Sequence, residues 1–176
     1  MAQLEQELIG EDRQGGRRVE VTAHVTGHAT QAFDARAELT LEQVMTQAAA
    51  SAGVALLPPR SKPFDRLHEM HGEHVGAVIV NLDQTLGEYL RQCGGRPHFT
   101  VELVLAVHVN TRWDVAVQEL MSPREILALP RIHLDPANYS LYLPESTQEL
   151  PADTPIKLTR GIDLEAQPDG KYGGGQ

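Results

Sequence analysis

The sequence predicts an α+β fold built as two tandem domains. Short stretches of alternating apolar residues recur along it, capping-box signatures stand between them, and the order strand, strand, helix, strand, short turn, strand occurs twice. The two copies share little residue identity, so the repeat is one of pattern and not of letters. At 176 residues the chain fits one medium domain or two small ones. Its hydrophobic content of 41% is enough to build cores with few aromatics.

The first element runs from Arg17, where Val19, Val21, Ala23 and Val25 alternate with polar residues as a strand facing a core. Gly27 makes a turn, and a weaker strand follows to about Glu38. Thr40 then caps a helix, with Gln43 closing a capping box. Leu41, Val44, Met45, Ala48 and Ala52 recur at helical spacing, and Gly53 fits the end. Residues 54–76 read as loop because of Pro58, Pro59 and Pro63, with a short strand allowed within Asp65–Met70. A strand is expected over Ala77–Asn81. Thr85 and Glu88 form a second box that opens a short helical turn, with Leu86, Tyr89 and Leu90 inward and Gly94-Gly95 at its end.

Phe99, Val101, Leu103, Leu105, Val107 and Val109 alternate without a break, which predicts one long strand shared by both domains. After Asn110-Thr111, a return strand is expected with Trp113, Val115 and Val117 facing the core. Ser122, Pro123 and Glu125 then start a two-turn helix by cap, first-position proline and capping box, and Met121 and Ile126 are spaced as a hydrophobic staple. Pro130 stops it. Tyr139–Leu143 is a strand turned by Pro144, Glu145 and Ser146. Leu150–Ile156 is a turn with two prolines, and Gly161–Ala166 is the final strand. A hairpin, one helix across the sheet and a last strand parallel to the first describe a β-grasp fold. The expected organisation is a mobile arm over residues 1–16, domains over 17–103 and 104–168, and a flexible glycine-rich C-terminal tail over 169–176.

Charge and composition exclude several function classes. The net charge of −9, with no basic block, disfavours nonspecific binding to nucleic acid or an anionic membrane. A single cysteine, Cys93, excludes an internal disulfide and a four-thiolate zinc site. No apolar run approaches the roughly 18 residues of a membrane span, and Met1–Arg18 lacks an apolar signal core. A soluble cytoplasmic protein is the expectation. No glycine-rich phosphate loop precedes a helix, and no serine carries a nucleophile motif, which agrees with a protein that is not an enzyme and holds no cofactor.

Both copies carry a resemblance. Leu41-Glu42-Gln43-Val44-Met45, then Gln84-Thr85-Leu86-Gly87-Glu88-Tyr89 before Phe99-Thr100-Val101-Glu102-Leu103-Val104, resemble the helix, turn and closing strand of ubiquitin-like folds. Asp135-Pro136-Ala137-Asn138-Tyr139-Ser140-Leu141-Tyr142-Leu143 and Leu150-Pro151-Ala152-Asp153-Thr154-Pro155-Ile156-Lys157-Leu158 resemble bacterial multi-ubiquitin domains. The chain is similar to tandem ubiquitin-like modifiers of bacterial antiphage operons, the counterparts of the interferon-stimulated modifier of vertebrates. The resemblance implies an E1-like adenylating enzyme, an E2-like conjugating enzyme and a deconjugating peptidase as partners, with conjugation to lysines of targets that include phage virion proteins. It also implies that Tyr142 occupies a strand position used for partner contact, a half-buried structural tyrosine being the alternative reading.

The last residues fit that chemistry. Gly173, Gly174 and Gly175 lack a Cβ and can thread a channel too narrow for side chains. Lys171 and Tyr172 offer grip upstream. Gln176 follows Gly175, so by analogy with ubiquitin precursors a peptidase would remove it to expose the Gly175 carboxylate. Two other readings stay open: a sulfur carrier ending in a thiocarboxylate, and a noncovalent adaptor with an inert tail. His68, His71 and His74 recur at the three-residue spacing of helical metal ligands, but Gly72 and the surrounding loop signals argue for loop histidines and no metal. Cys93 has no assignable base. Gly94-Gly95 reads as a turn, Gly15-Gly16 as linker and Trp113 as core.

Overall fold

The computed structural model describes residues 16–57 and 64–170. These contain eleven strands and three helices in a mixed α+β arrangement. The chain divides into two compact units, Met1–Leu103 and Val104–Gln176.

In the first unit, β1 (Arg18–Val25) and β2 (Gln31–Arg36) form an antiparallel hairpin turned at Gly27, whose φ is +80°. Helix α1 (Leu41–Ser51) follows, then β3 (Arg66–His71), β4 (His74–Val78), α2 (Leu86–Cys93) and β5 (His98–Glu102). The sheet order is β2-β1-β5-β3-β4, and β5 lies parallel to β1 with Val25 opposite Val101. Val21, Val25, Leu41, Met45, Leu67, Leu86, Phe99 and Val101 are fully buried in one cluster, so the alternation of β1 and the helical stripe of α1 meet in a single core.

The two helices satisfy each other's starts. Leu41 and Glu42 N–H groups donate to the Gln84 and Leu82 carbonyls at 3.0 and 3.1 Å, while Leu86 and Gly87 donate to Leu39 and Ala37, both at 2.8 Å. Both capping boxes are complete: Thr40 exchanges bonds with Gln43, and Thr85 with Glu88. The N–H groups that every helix leaves unpaired at its N-terminus are thus accounted for at α1 and α2. Gly87 fits closely here: a Cβ would stand 3.3 Å from the Ala37 carbonyl oxygen, a tight contact that a small shift would have to relieve. Helix α1 ends as its sequence suggests: Gly53, at φ +75°, donates to Ala50 and Val54 donates to Ala49, the two bonds of a Schellman motif.

Three expectations need correction. The short strand allowed within Asp65–Met70 is β3, but it pairs in a β-hairpin with β4 at His74–Val78, where loop to residue 76 and a strand at Ala77–Asn81 were expected. Its two-residue turn, Gly72-Glu73, uses φ +66° at the glycine. Exposed Val75 and Val78 on this edge strand hide the in-out alternation that marks half-buried strands.

The expected single strand Phe99–Val109 is two strands, β5 and β6 (Ala106–Val109), with Leu103–Leu105 lying between them and belonging to neither. Leu103 packs on the first core and Leu105 on the second. Val101 and Val107 stand six positions apart, so both keep the same parity and periodicity alone registers no break.

Residues Trp113, Val115 and Val117 do not face the second core. In β7 (Arg112–Val115) the inward positions are Asp114, followed by Ala116 just past the strand, whereas Val117 is 79% exposed. The physical reason lies in Asp114, whose carboxylate accepts the Val115 and Arg131 backbone N–H groups, each at 2.8 Å. Those donors need an acceptor that no apolar side chain supplies.

The second unit repeats the pairing logic of the first. After β6 and β7 come β8 (Leu120–Met121), α3 (Pro123–Leu127), β9 (Tyr139–Tyr142), β10 (Ile156–Lys157) and β11 (Ile162–Pro168). The order β7-β6-β11-β9 sets β11 parallel to β6 and antiparallel to β9, and β8 pairs with β10. Helix α3 has the cap, proline and complete box read from sequence. The staple residues Met121 and Ile126 are buried with Leu127, Ile132, Leu141 and Leu164.

The capping carboxylates set an acid dependence. The backbone N–H of Thr85 holds the Glu88 carboxyl below its ordinary range, and that of Ser122 does the same for Glu125. A carboxyl whose pKa is lower folded than unfolded stabilises above its unfolded value and loses that effect as pH falls through the folded value. The melting temperature is therefore expected to fall below about pH 4, and the double variant Glu88→Gln, Glu125→Gln to fall less steeply across that window. Thr40→Ala, which removes a cap without titrating, is expected to cost about 1 kcal/mol at every pH. Circular-dichroism melts from pH 7 to 3 check both.

Candidate functional site

Strand β11 is the element that carries the chain toward its last residues. It is held on both sides, by β6 through Ile162–Leu164 and by β9 through Glu165–Pro168. Where β6 ends, the side chain of Asn110 continues the ladder: Nδ2 donates to the Ala166 carbonyl at 3.1 Å and Oδ1 accepts the Ala166 N–H at 2.9 Å. Asn110 sits at φ 55°, a conformation that asparagine tolerates better than most residues.

The hold on the chain extends through Asp169. Its N–H donates to the Asn138 carbonyl at 2.9 Å. Ser140 Oγ lies 2.5 Å from Asp169 Oδ1 and 2.6 Å from Glu149 Oε1. A serine hydroxyl carries one proton, so it donates to one of these carboxylates at a time. Ser140 is buried, with 8% of its surface accessible, while Asp169 is half-buried and Glu149 exposed. Lys171, Tyr172, Gly173, Gly174, Gly175 and Gln176, the residues singled out for conjugation, grip and processing, lie outside the described residues.

Tyr142 is half-buried on β9, opposite Glu165 of β11. A second row crosses the same sheet: Trp113 on β7 pairs with His108 on β6, which pairs with Asp163 on β11. The His108 ring stacks on Trp113 with centroids 4.5 Å apart and planes 21° apart, and His108 Nδ1 meets Asp163 Oδ1 at 2.6 Å. Asp163 and Glu165 are two apart on β11 and so share a face. Sequence reading did not find this row, because 55 residues separate His108 from Asp163 and only the parallel register joins them. The nearest sequence signal was the alternation of His108 with Val107 and Val109.

The remaining candidates are dispersed. His68 bonds Glu102 at 2.6 Å and the Gly76 carbonyl at 3.2 Å, while His71 and His74 flank the hairpin turn. No group of three potential ligands gathers among the described residues. Cys93 is exposed with its sulfur 3.9 Å from Glu69. Glu69 also accepts from Tyr89 Oη at 3.1 Å; burial first, and this carboxylate second, push the Tyr89 phenol well above its ordinary range. Tyr89 also packs on Phe99 at 5.4 Å, which ties it to the core. Gly94 and Gly95 both have positive φ and terminate α2.

No family model and no curated protein matches the chain. Among the described residues no helix is long and apolar enough to cross a membrane.

The clasp generates a direct test. Ser140→Ala is expected to speed hydrogen exchange at the Asp169 amide by about tenfold or more, while amides of β6 remain protected. Exchange read by NMR checks it; unchanged exchange at Asp169 would contradict the clasp.

Proposed function

We propose that both units are β-grasp, ubiquitin-like domains and that the protein is a covalent modifier joined to target lysines through Gly175 after removal of Gln176. One observation carries the reading. Each unit begins with a hairpin, crosses over through a helix and closes with a strand parallel to its first, and the second closing strand runs to Pro168, just upstream of the triple glycine.

The chemistry asks little of this chain beyond its end. A carboxylate is a poor acyl donor, so an E1-like enzyme first joins the Gly175 carboxylate to the AMP moiety of ATP with loss of pyrophosphate. An enzyme cysteine displaces AMP to form a thioester, and the target amine displaces the thiol to form an isopeptide bond. An E2-like enzyme relays the thioester, and a peptidase trims Gln176 and reverses the conjugate. Gly173, Gly174 and Gly175 meet the steric demand of the enzyme channels, and Lys171 and Tyr172 supply contacts before it. Tyr142 belongs to a surface that partners contact. The resemblance to bacterial antiphage modifiers extends the proposal to defence in the cytoplasm, with virion proteins among the targets.

Incubation with its E1-like and E2-like enzymes and ATP is expected to give higher-mass adducts that the double variant Gly174→Ala, Gly175→Ala does not form. Absence of wild-type adducts, or their persistence in the variant, would contradict the proposal.

A further inference from the structure

Across β11 runs an open groove of about 470 Å³ in the second unit. Asp163, Glu165 and Gln167 alternate along its floor. One wall is the β6–β7 turn at Asn110 and Thr111, and the other is Pro144 beyond β9. His108 also lines it, with Trp113 stacked behind the imidazole.

Carboxylates dominate the charge of this groove. Its lining includes two carboxylates and one imidazole, and no lysine or arginine. Asp163 is 64% exposed, and only Oδ1 is taken up by His108, which leaves a second oxygen able to accept. The 2.6 Å contact to Asp163 fixes the ring, and the Trp113 stack fixes its plane, so this end of the groove is pre-organised. Tyr142 stands across the strand from Glu165, within side-chain reach of it.

A nucleic acid would meet these carboxylates with its phosphates and be repelled. A metal ion finds no group of three ligands among the described residues. Six of the nine residues that line it carry polar or charged side chains, and the two carboxylates would have to be desolvated under an apolar helix face. The floor offers carboxylate oxygens two residues apart along an extended strand, a spacing of about 6.5–7 Å. An extended segment presents its own alternate side chains at that same spacing.

We propose that this groove receives an extended, arginine- or lysine-bearing segment of another protein, with alternate cationic side chains on Asp163 and Glu165. The charge complementarity selects a basic partner segment over an apolar one. This inference is independent of whether Gly175 is conjugated.

Trp113 is the sole tryptophan, so its fluorescence reports on the groove. The probe is an acetylated, amidated peptide Gly-Arg-Ser-Arg-Ser-Arg-Gly, titrated into the full chain. A saturable change in Trp113 emission is expected, with amide NMR shifts centred on His108, Asp163 and Glu165. The same peptide with citrulline in place of arginine keeps its shape and loses its charge, and is expected not to bind. Asp163→Asn with Glu165→Gln should weaken binding about tenfold, and Glu165→Gln alone should weaken it measurably should the double variant fold poorly. Glu20→Gln with Glu73→Gln removes as much charge from exposed sites of the first unit and should change affinity less than about twofold. Equal binding of the citrulline peptide, equal loss in the two double variants, or shifts centred elsewhere would overturn the proposal.

Discussion

The parallel pairing of first and last strands closes both units. In the first, Thr22–Val25 lies beside His98–Val101; in the second, Val107–Val109 lies beside Ile162–Leu164. Parallel neighbours cannot be joined by a tight turn, so the chain between them must cross over, and it does so through a helix that covers one sheet face. The buried residues of the paired strands, Val25 and Val101 in one case and Val109 and Leu164 in the other, then meet the apolar stripe of that helix. Local features serve this closure. The reciprocal bonds between the starts of α1 and α2 set the helix entry points, and the Asn110 side chain extends the second parallel ladder beyond its last backbone bond.

The same pairing decides what lies at the surface. Because β11 is inserted between β6 and β9, its even positions are buried at Leu164 and Ala166 while Asp163, Glu165 and Gln167 face outward. The acidic character of that face is thus a consequence of register: a one-residue slip would bury the carboxylates. The main chain stays fixed through Asp169, held by Asn138 and Ser140. Under the modifier reading, this gives the activating enzyme a rigid body of known end point, and leaves the chemistry to a short stretch beyond it.

Much of the fold was legible in particular residues. Thr40 with Gln43, Thr85 with Glu88 and Ser122 with Glu125 announced three helix starts, because capping depends on residues three positions apart. Val19, Val21, Ala23 and Val25 announced β1 for a similarly local reason. What escaped depends on partners remote in sequence. The break at Leu103–Leu105 preserves parity, so alternation ran through it. The inward turn of Asp114 depends on the Arg131 amide, 17 residues away. The Ser140–Asp169 clasp and the His108–Asp163 row exist only once strands are in register, and no spacing in the sequence encodes them.

In the proposed modifier, Gly175 becomes the acyl donor in an isopeptide bond. Trypsin cuts after Lys171, so a conjugate lacking Gln176 would leave Tyr-Gly-Gly-Gly on the target lysine, a remnant distinct from the shorter one of ubiquitin itself. Mass spectrometry of tryptic digests from cells that make the protein with its conjugating enzymes measures it directly. Lysines bearing Tyr-Gly-Gly-Gly are expected of a modifier; a C-terminal peptide always retaining Gln176, with no modified lysine, would contradict that role.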